Sequence, residues 1–213
     1  MRTQRIAILV FDDFEPLDVW GFAEAFTIAR FLGKELPVPF EVVFVAAEKR
    51  PIRSSKGPRV VPDYDLGEAA GEAFDVLMVP GGMGTRKLVD DPALLAWLVN
   101  MDKRVGIMAS VCTGAALLAK AGLLDGKPAT TNHAAFGWVV KQGPDVLWDS
   151  VSRWVDAGHY VTSAGVSAGT DMAFYLVERL AGRAVAENAV RAAEYDWHRD
   201  PQVPIIYPQQ AKV

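Results

Sequence analysis

The chain runs to 213 residues, 51% of them hydrophobic and 23% charged, with glycine and proline scattered; this is enough apolar material for one buried core and argues against disorder. A net charge of −4 and the absence of any Lys/Arg-rich run argue against binding through nucleic-acid phosphates, which need a concentrated basic surface. The single cysteine, Cys112, cannot close an internal disulfide and shares no zinc-type spacing with His133, His159 or His198, so no metal or cofactor is expected and the setting is read as reducing and cytoplasmic.

From the N-terminus, "RIAILVF" (5–11) is an apolar run of strand length. It ends at two aspartates and is too short for a signal core or a membrane span, so neither export nor a membrane partner is expected. "PLDVWGFAEAFTIARFLGKE" (16–35) follows with apolar residues at helical spacing and a proline in its first turn. "FEVVFVAA" (40–47) and "FDVLMVPGG" (74–82) predict strands, "DPALLAWLVNMDK" (91–103) a helix and "RVGIMAS" (104–110) another strand. The strand runs are nearly continuous rather than alternating, which implies burial on both faces, and strands alternating with helices give an α/β chain with a parallel sheet in one domain, 1–213. Beyond Cys112 come a short helix "GAALLAKAG" (114–122) and strand-like pieces at "PATTN" (128–132) and "SVSRWVDAGHYVTSAG" (150–165), the second a hairpin around 156–158. Helices are expected over "GTDMAFYLVERLAG" (169–182) and "AVAENAVRAAEYDW" (184–197), and the proline-punctuated tail (199–213) is expected to lie extended on the surface.

Cys112 stands where a strand runs into a helix, followed by Thr113, Gly114, Ala115 and Ala116. Ligands of an open parallel sheet bind at such strand ends, and a tight strand-to-helix turn needs small neighbours. Free N–H groups and the positive dipole end of the helix favour thiolate, so the expected pKa lies below that of a free thiol. Position alone leaves a second reading open, a small apolar residue in the core. "MVPGGMGT" (78–85) is another strand end running into a glycine turn whose amides can approach a ligand, though such a turn can equally do no more than reverse the chain. Asp18, in "FEPLDVWG" (14–21), would lie in a first helical turn among Leu17, Val19 and Trp20; burial there would raise its pKa and let it donate a hydrogen bond to the cysteine.

Together, "LDVWG" (17–21), "VPGGMG" (79–84), "SVCTGA" (110–115), "AGLLDGKPATTN" (121–132), "SAGVSAG" (163–169) and "AEYD" (193–196) resemble the ThiJ/PfpI superfamily, and within it the isocyanide hydratase group. The resemblance spans nearly the whole chain. It implies the class I glutamine amidotransferase-like fold, a three-layer sandwich with a mainly parallel, flavodoxin-like sheet and helices on both faces. It also implies that Cys112 is a nucleophile, that Asp18 is its acid/base partner, and that Gly82 and Thr113 form an anion-binding pocket. Gly81, Trp20, Val166 and His133 are then expected against a small-molecule substrate, and a homodimer is expected through the aromatic-rich helix carrying Trp20, Phe22, Phe26 and Phe31.

Departures from the pattern narrow the activity. Peptidase-like relatives carry a histidine directly after the cysteine; here that residue is Thr113. Related "ATTHW" becomes "ATTNHAAF", with Asn132 in the histidine's place and His133 one residue later, and a one-residue shift in a strand reverses its facing. Trp20 and Phe22 stand where smaller residues and a proline are usual, which would narrow the pocket. His159 and His198 are expected at the solvated surface. The same domain is also the sensing half of AraC-type regulators, but the chain after "AEYDWHRDP" is too short for a helix-turn-helix, so a stand-alone hydratase is the first expectation. A redox-responsive or ligand-sensing protein with an oxidisable Cys112 is the second.

Overall fold

The computed structural model describes residues 2–31 and 40–205. Seven strands form the main sheet: β1 (Gln4–Leu9), β2 (Phe40–Ala46), β3 (Tyr64–Asp65), β4 (Val76–Val79), β5 (Ile107–Val111), β6 (Trp154–Ala157) and β7 (Tyr160–Ser163). Their order is β6-β7-β5-β4-β1-β2-β3, and every pair is parallel except the β6–β7 hairpin. All residues of β4, β5 and β7 are buried, as the unbroken apolar runs require of a sheet covered on both faces. The chain leaves β1 towards β2 on one side and returns to β4 on the other, so the topological switch point lies between β1 and β4.

Five longer helices cover the sheet: α1 (Pro16–Phe31), α2 (Pro92–Asp102), α3 (Ala115–Lys120), α4 (Ser167–Ala181) and α5 (Arg183–Ala192). Helices α1, α4 and α5 pack together as one layer and α2 and α3 as the other. Asp91 caps α2, accepting from the N–H groups of Ala93 and Leu94 at 3.0 and 3.1 Å, with Pro92 in the first turn where a missing N–H costs nothing. No helix among the described residues is long and apolar enough to cross a membrane.

Several boundaries differ from the sequence reading. The end of the first expected helix (32–35) and most of the tail (206–213) lie outside the described residues. The "PATTN" segment pairs, over Pro128–Thr130, with Leu147–Asp149 in a separate two-stranded piece, and a second ribbon joins Ile52–Arg53 to Arg59–Val60. The last helix stops at Ala192 because Glu194 takes φ 48, turning Tyr195 and Trp197 back onto α4, where both rings pack on Phe174. Their anchor is Asp171, fully buried on α4. Its carboxylate receives Arg153 Nε at 3.0 Å and Nη2 at 2.5 Å, the Tyr195 hydroxyl at 3.2 Å and the His198 N–H at 3.1 Å. His198 is therefore held at this anchor by its backbone with its side chain half exposed, and His159 Nε2 is within hydrogen-bond distance of Asp102, at 2.9 Å. Removing one partner of a buried pair strands the other charge, so Arg153→Met is expected to cost about 3–5 kcal/mol of stability, read as an earlier denaturation midpoint.

Candidate functional site: a cysteine elbow beside a buried carboxyl

Three neighbouring strands deliver the site. The end of β1 leads to Asp18 in the first turn of α1, the end of β4 to Pro80-Gly81-Gly82, and the end of β5 to Cys112. Cys112 has φ 57, in the left-handed region where a β-carbon crowds the following carbonyl at a cost of about 1–2 kcal/mol. The surroundings hold it there. Its N–H donates to Ala164 O at 2.9 Å, and its carbonyl accepts from Thr131 Oγ1 at 2.8 Å. A β-carbon at Gly114 would fall 2.1 Å from Val79 O, and one at Gly81 would fall 2.7 Å from the Cys112 β-carbon, so neither position admits a side chain.

Asp18 is fully buried. Its Oδ2 accepts from the Gly81 N–H at 2.8 Å, while Oδ1 is buried without a hydrogen-bond partner of good geometry among the described residues. Burial pushes the carboxyl up to about 7; the Gly81 N–H and the Cys112 thiol act in the opposite direction. Cys112 is itself only 7% exposed, and burial, followed by the charge of Asp18, pushes its thiol up to about 12. This overturns the expected depressed thiol: the Thr113 N–H and hydroxyl do favour thiolate, but desolvation outweighs them. The repulsive share disappears whenever Asp18 carries a proton.

Cys112, Thr113, Gly82 and Val166 line one cavity of about 400 Å³. Val166, at the entrance to α4, takes φ 22, a strained conformation for a β-branched residue. Thr113 does not leave the Gly82 amide free as the anion-pocket expectation requires. Its Oγ1 accepts from the Gly82 N–H at 3.1 Å, while the Thr85 hydroxyl, also 3.1 Å away, donates to the Gly82 carbonyl at 2.7 Å. Gly81, Trp20 and His133 are not on the cavity wall. Gly81 lies behind the cysteine and serves Asp18. Trp20 stacks between Phe14 and Phe44, with centroids 5.5 and 6.0 Å away. His133 yields its place to Asn132, which lines the cavity, in keeping with the one-residue shift.

The wall also carries Arg86 and a Glu15–Lys56 ion pair, none of which the sequence reading singled out. Lys56 arrives on the 52–60 ribbon, and Arg86 on a single turn of helix after the glycine loop (Thr85–Leu88); no local pattern marks either as facing the cysteine. A separate cavity of about 310 Å³, walled by Phe11, Asp12, Arg50 and Lys87, does not include Cys112.

The pattern of the DJ-1/PfpI family matches residues 4–179. This chain belongs to the DJ-1/PfpI family. It is 30% identical over 191 residues to the isonitrile hydratase of Pseudomonas putida, covering 90% of this chain and 78% of that one. It is 28% identical over 142 residues to a glutathione-independent glyoxalase of Caenorhabditis elegans, covering 67% and 74%. Among solved structures, a ThiJ/PfpI family protein from Pseudomonas syringae superposes with a TM-score of 0.82 at 28% identity, covering 100% of this chain and 80% of that one. The solved DJ-1beta of Drosophila melanogaster shares the fold with a TM-score of 0.79 at 19% identity, covering 92% of this chain and 100% of that one.

Proposed function

We propose that this chain is a cysteine-dependent hydratase of small isonitriles, acting in a single cytoplasmic domain and releasing an N-formamide. The observation that carries the reading is the pair itself: a thiol on a strained elbow beside a buried carboxyl whose pKa of about 7 lets it both accept and return a proton at neutral pH. No histidine lines the cavity, which fits a reaction run by one carboxyl better than one that needs an imidazole base. The similarity to the isonitrile hydratase points to the same chemistry.

In this mechanism the Asp18 carboxylate takes the thiol proton, and the loss of its charge relieves the repulsion on sulfur. Thr113 steadies the resulting thiolate. Sγ attacks the terminal isonitrile carbon while Asp18 returns the proton to that carbon, giving a thioimidate, R–N=CH–S–Cys112. Water adds across the C=N bond with Asp18 as base, the C–S bond breaks, and R–NH–CHO leaves with the thiol restored. Mass spectrometry of the protein under substrate tests this: the trapped adduct should weigh as much as the isonitrile itself. Turnover of isonitriles without any adduct on Cys112 would refute the covalent route.

Oxidation sensing, the other use of such a cysteine, calls for an accessible thiolate, whereas this thiol is 7% exposed and raised. A homodimer belongs to the same proposal, although only part of the aromatic stripe on α1 can serve it: Phe22 and Phe26 are fully buried. Leu17 and Trp20, 47% and 40% exposed, are the apolar groups a second copy would cover. Light scattering at micromolar concentration is expected to give twice the chain mass, and a monomer would remove the idea.

A further inference from the structure

The wall of the Cys112 cavity carries a cation, Arg86, that pairs with no carboxylate among the described residues. The Arg86 guanidinium carbon sits over the Trp138 ring, 3.5 Å from its centroid, a cation–π contact that holds the group in place. Its only hydrogen bond among the described residues is a long one, Nη1 to Thr85 Oγ1 at 3.4 Å, and no carboxylate among them pairs with it. The other cation on the wall, Lys56, is already paired with Glu15. Asn132 adds a donor: its Oδ1 is engaged by the Ala135 N–H at 2.9 Å, and its Nδ2 makes no hydrogen bond among the described residues. Burial works against the charge on Arg86, but a guanidinium keeps its proton in proteins.

We propose that Arg86, with Asn132 on the same cavity wall, is a carboxylate-binding subsite that selects a monoanionic substrate for Cys112. One unpaired guanidinium offers one positive charge and a planar fork, which matches the two oxygens of a carboxylate; a phosphate dianion would leave part of its charge unmet. The cavity, about 400 Å³, holds a small molecule with its carboxylate on Arg86 and its reacting carbon at sulfur. Taken with the hydratase reading, on which the substrate class rests, this makes the substrate a small isocyano acid. The subsite itself does not depend on that reading.

The test uses two alkylating agents that differ only in charge. Iodoacetate and iodoacetamide both lose iodide to the Cys112 thiolate, forming a C–S bond, and no other cysteine competes. The ratio of their rates cancels differences in thiol reactivity between variants. That ratio, iodoacetate over iodoacetamide, is expected to fall about tenfold or more in Arg86→Gln, the scale of one charge-assisted hydrogen bond. Arg86→Lys, which keeps charge without the fork, is expected to fall between the parent and Arg86→Gln. A ratio equal in the parent and both variants would overturn the subsite. Isocyanoacetate and its methyl ester then address the substrate class: the parent should favour the acid in kcat/KM, and Arg86→Gln should lose that preference. A charge-dependent alkylation ratio with no hydration of either compound would leave the subsite standing and refute the isocyano acid, and the hydratase reading with it.

Discussion

Hydration of a small isonitrile is expected to fall to the uncatalysed background in Cys112→Ala. The chain has no second cysteine, and no other side chain on the cavity wall combines a nucleophilic atom with a neighbouring buried carboxyl. Cys112→Ser should fare little better, because a hydroxyl gives up its proton far less readily than a thiol and Asp18, at about 7, is too weak a base to compensate. The same variants separate chemistry from folding. Alanine keeps the β-carbon that strains the elbow at φ 57, so its denaturation midpoint should stay close to the parent's, while Cys112→Gly releases the strain and should offset part of the packing it gives up. Turnover retained in a folded Cys112→Ala would place the nucleophile elsewhere and end the proposed mechanism.

The legible parts of this molecule are those that short-range physics determines. Continuous apolar runs at 5–11, 74–82 and 104–110 have the length and the β-branched content of buried strands, and their alternation with helices leaves few arrangements besides a parallel sheet. The elbow was readable because Gly114 and Gly81 must be small for the backbone at Cys112 to pass, a constraint written directly in residue type. What stayed hidden depends on distance along the chain. Arg86 and Lys56 reach the cavity from elements whose packing no periodicity encodes, and Trp20, two residues beyond Asp18, turns away to stack on Phe14 and Phe44. The reversed thiol shift has the same origin. The helix end that favours thiolate is local and visible, whereas desolvation is summed over side chains from several strands and helices.

Asp18→Asn should therefore separate a catalytic carboxyl from a structural one by two measurements that move in opposite directions. Asparagine can still accept from the Gly81 N–H but cannot exchange a proton, so isonitrile turnover should fall by about two orders of magnitude or more, the usual scale of general acid–base help. Stability should rise. A carboxyl held near 7 in the folded chain and near 3.8 when unfolded keeps its proton longer in the native state. Its favourable contribution is complete below the unfolded value, declines as pH climbs from about 4, and is gone above about 7, a loss on the order of 4 kcal/mol. The variant escapes this loss, so its denaturation midpoint should approach the parent's at pH 4 and exceed it at pH 8. The thiol provides a third readout. In the parent its alkylation midpoint should lie above that of a free thiol, and in Asp18→Asn it should drop, because the neighbouring negative charge is gone. An Asp18→Asn protein that turns over isonitriles normally, or whose thiol titrates as the parent's does, would mean that the carboxyl does not share a proton with Cys112.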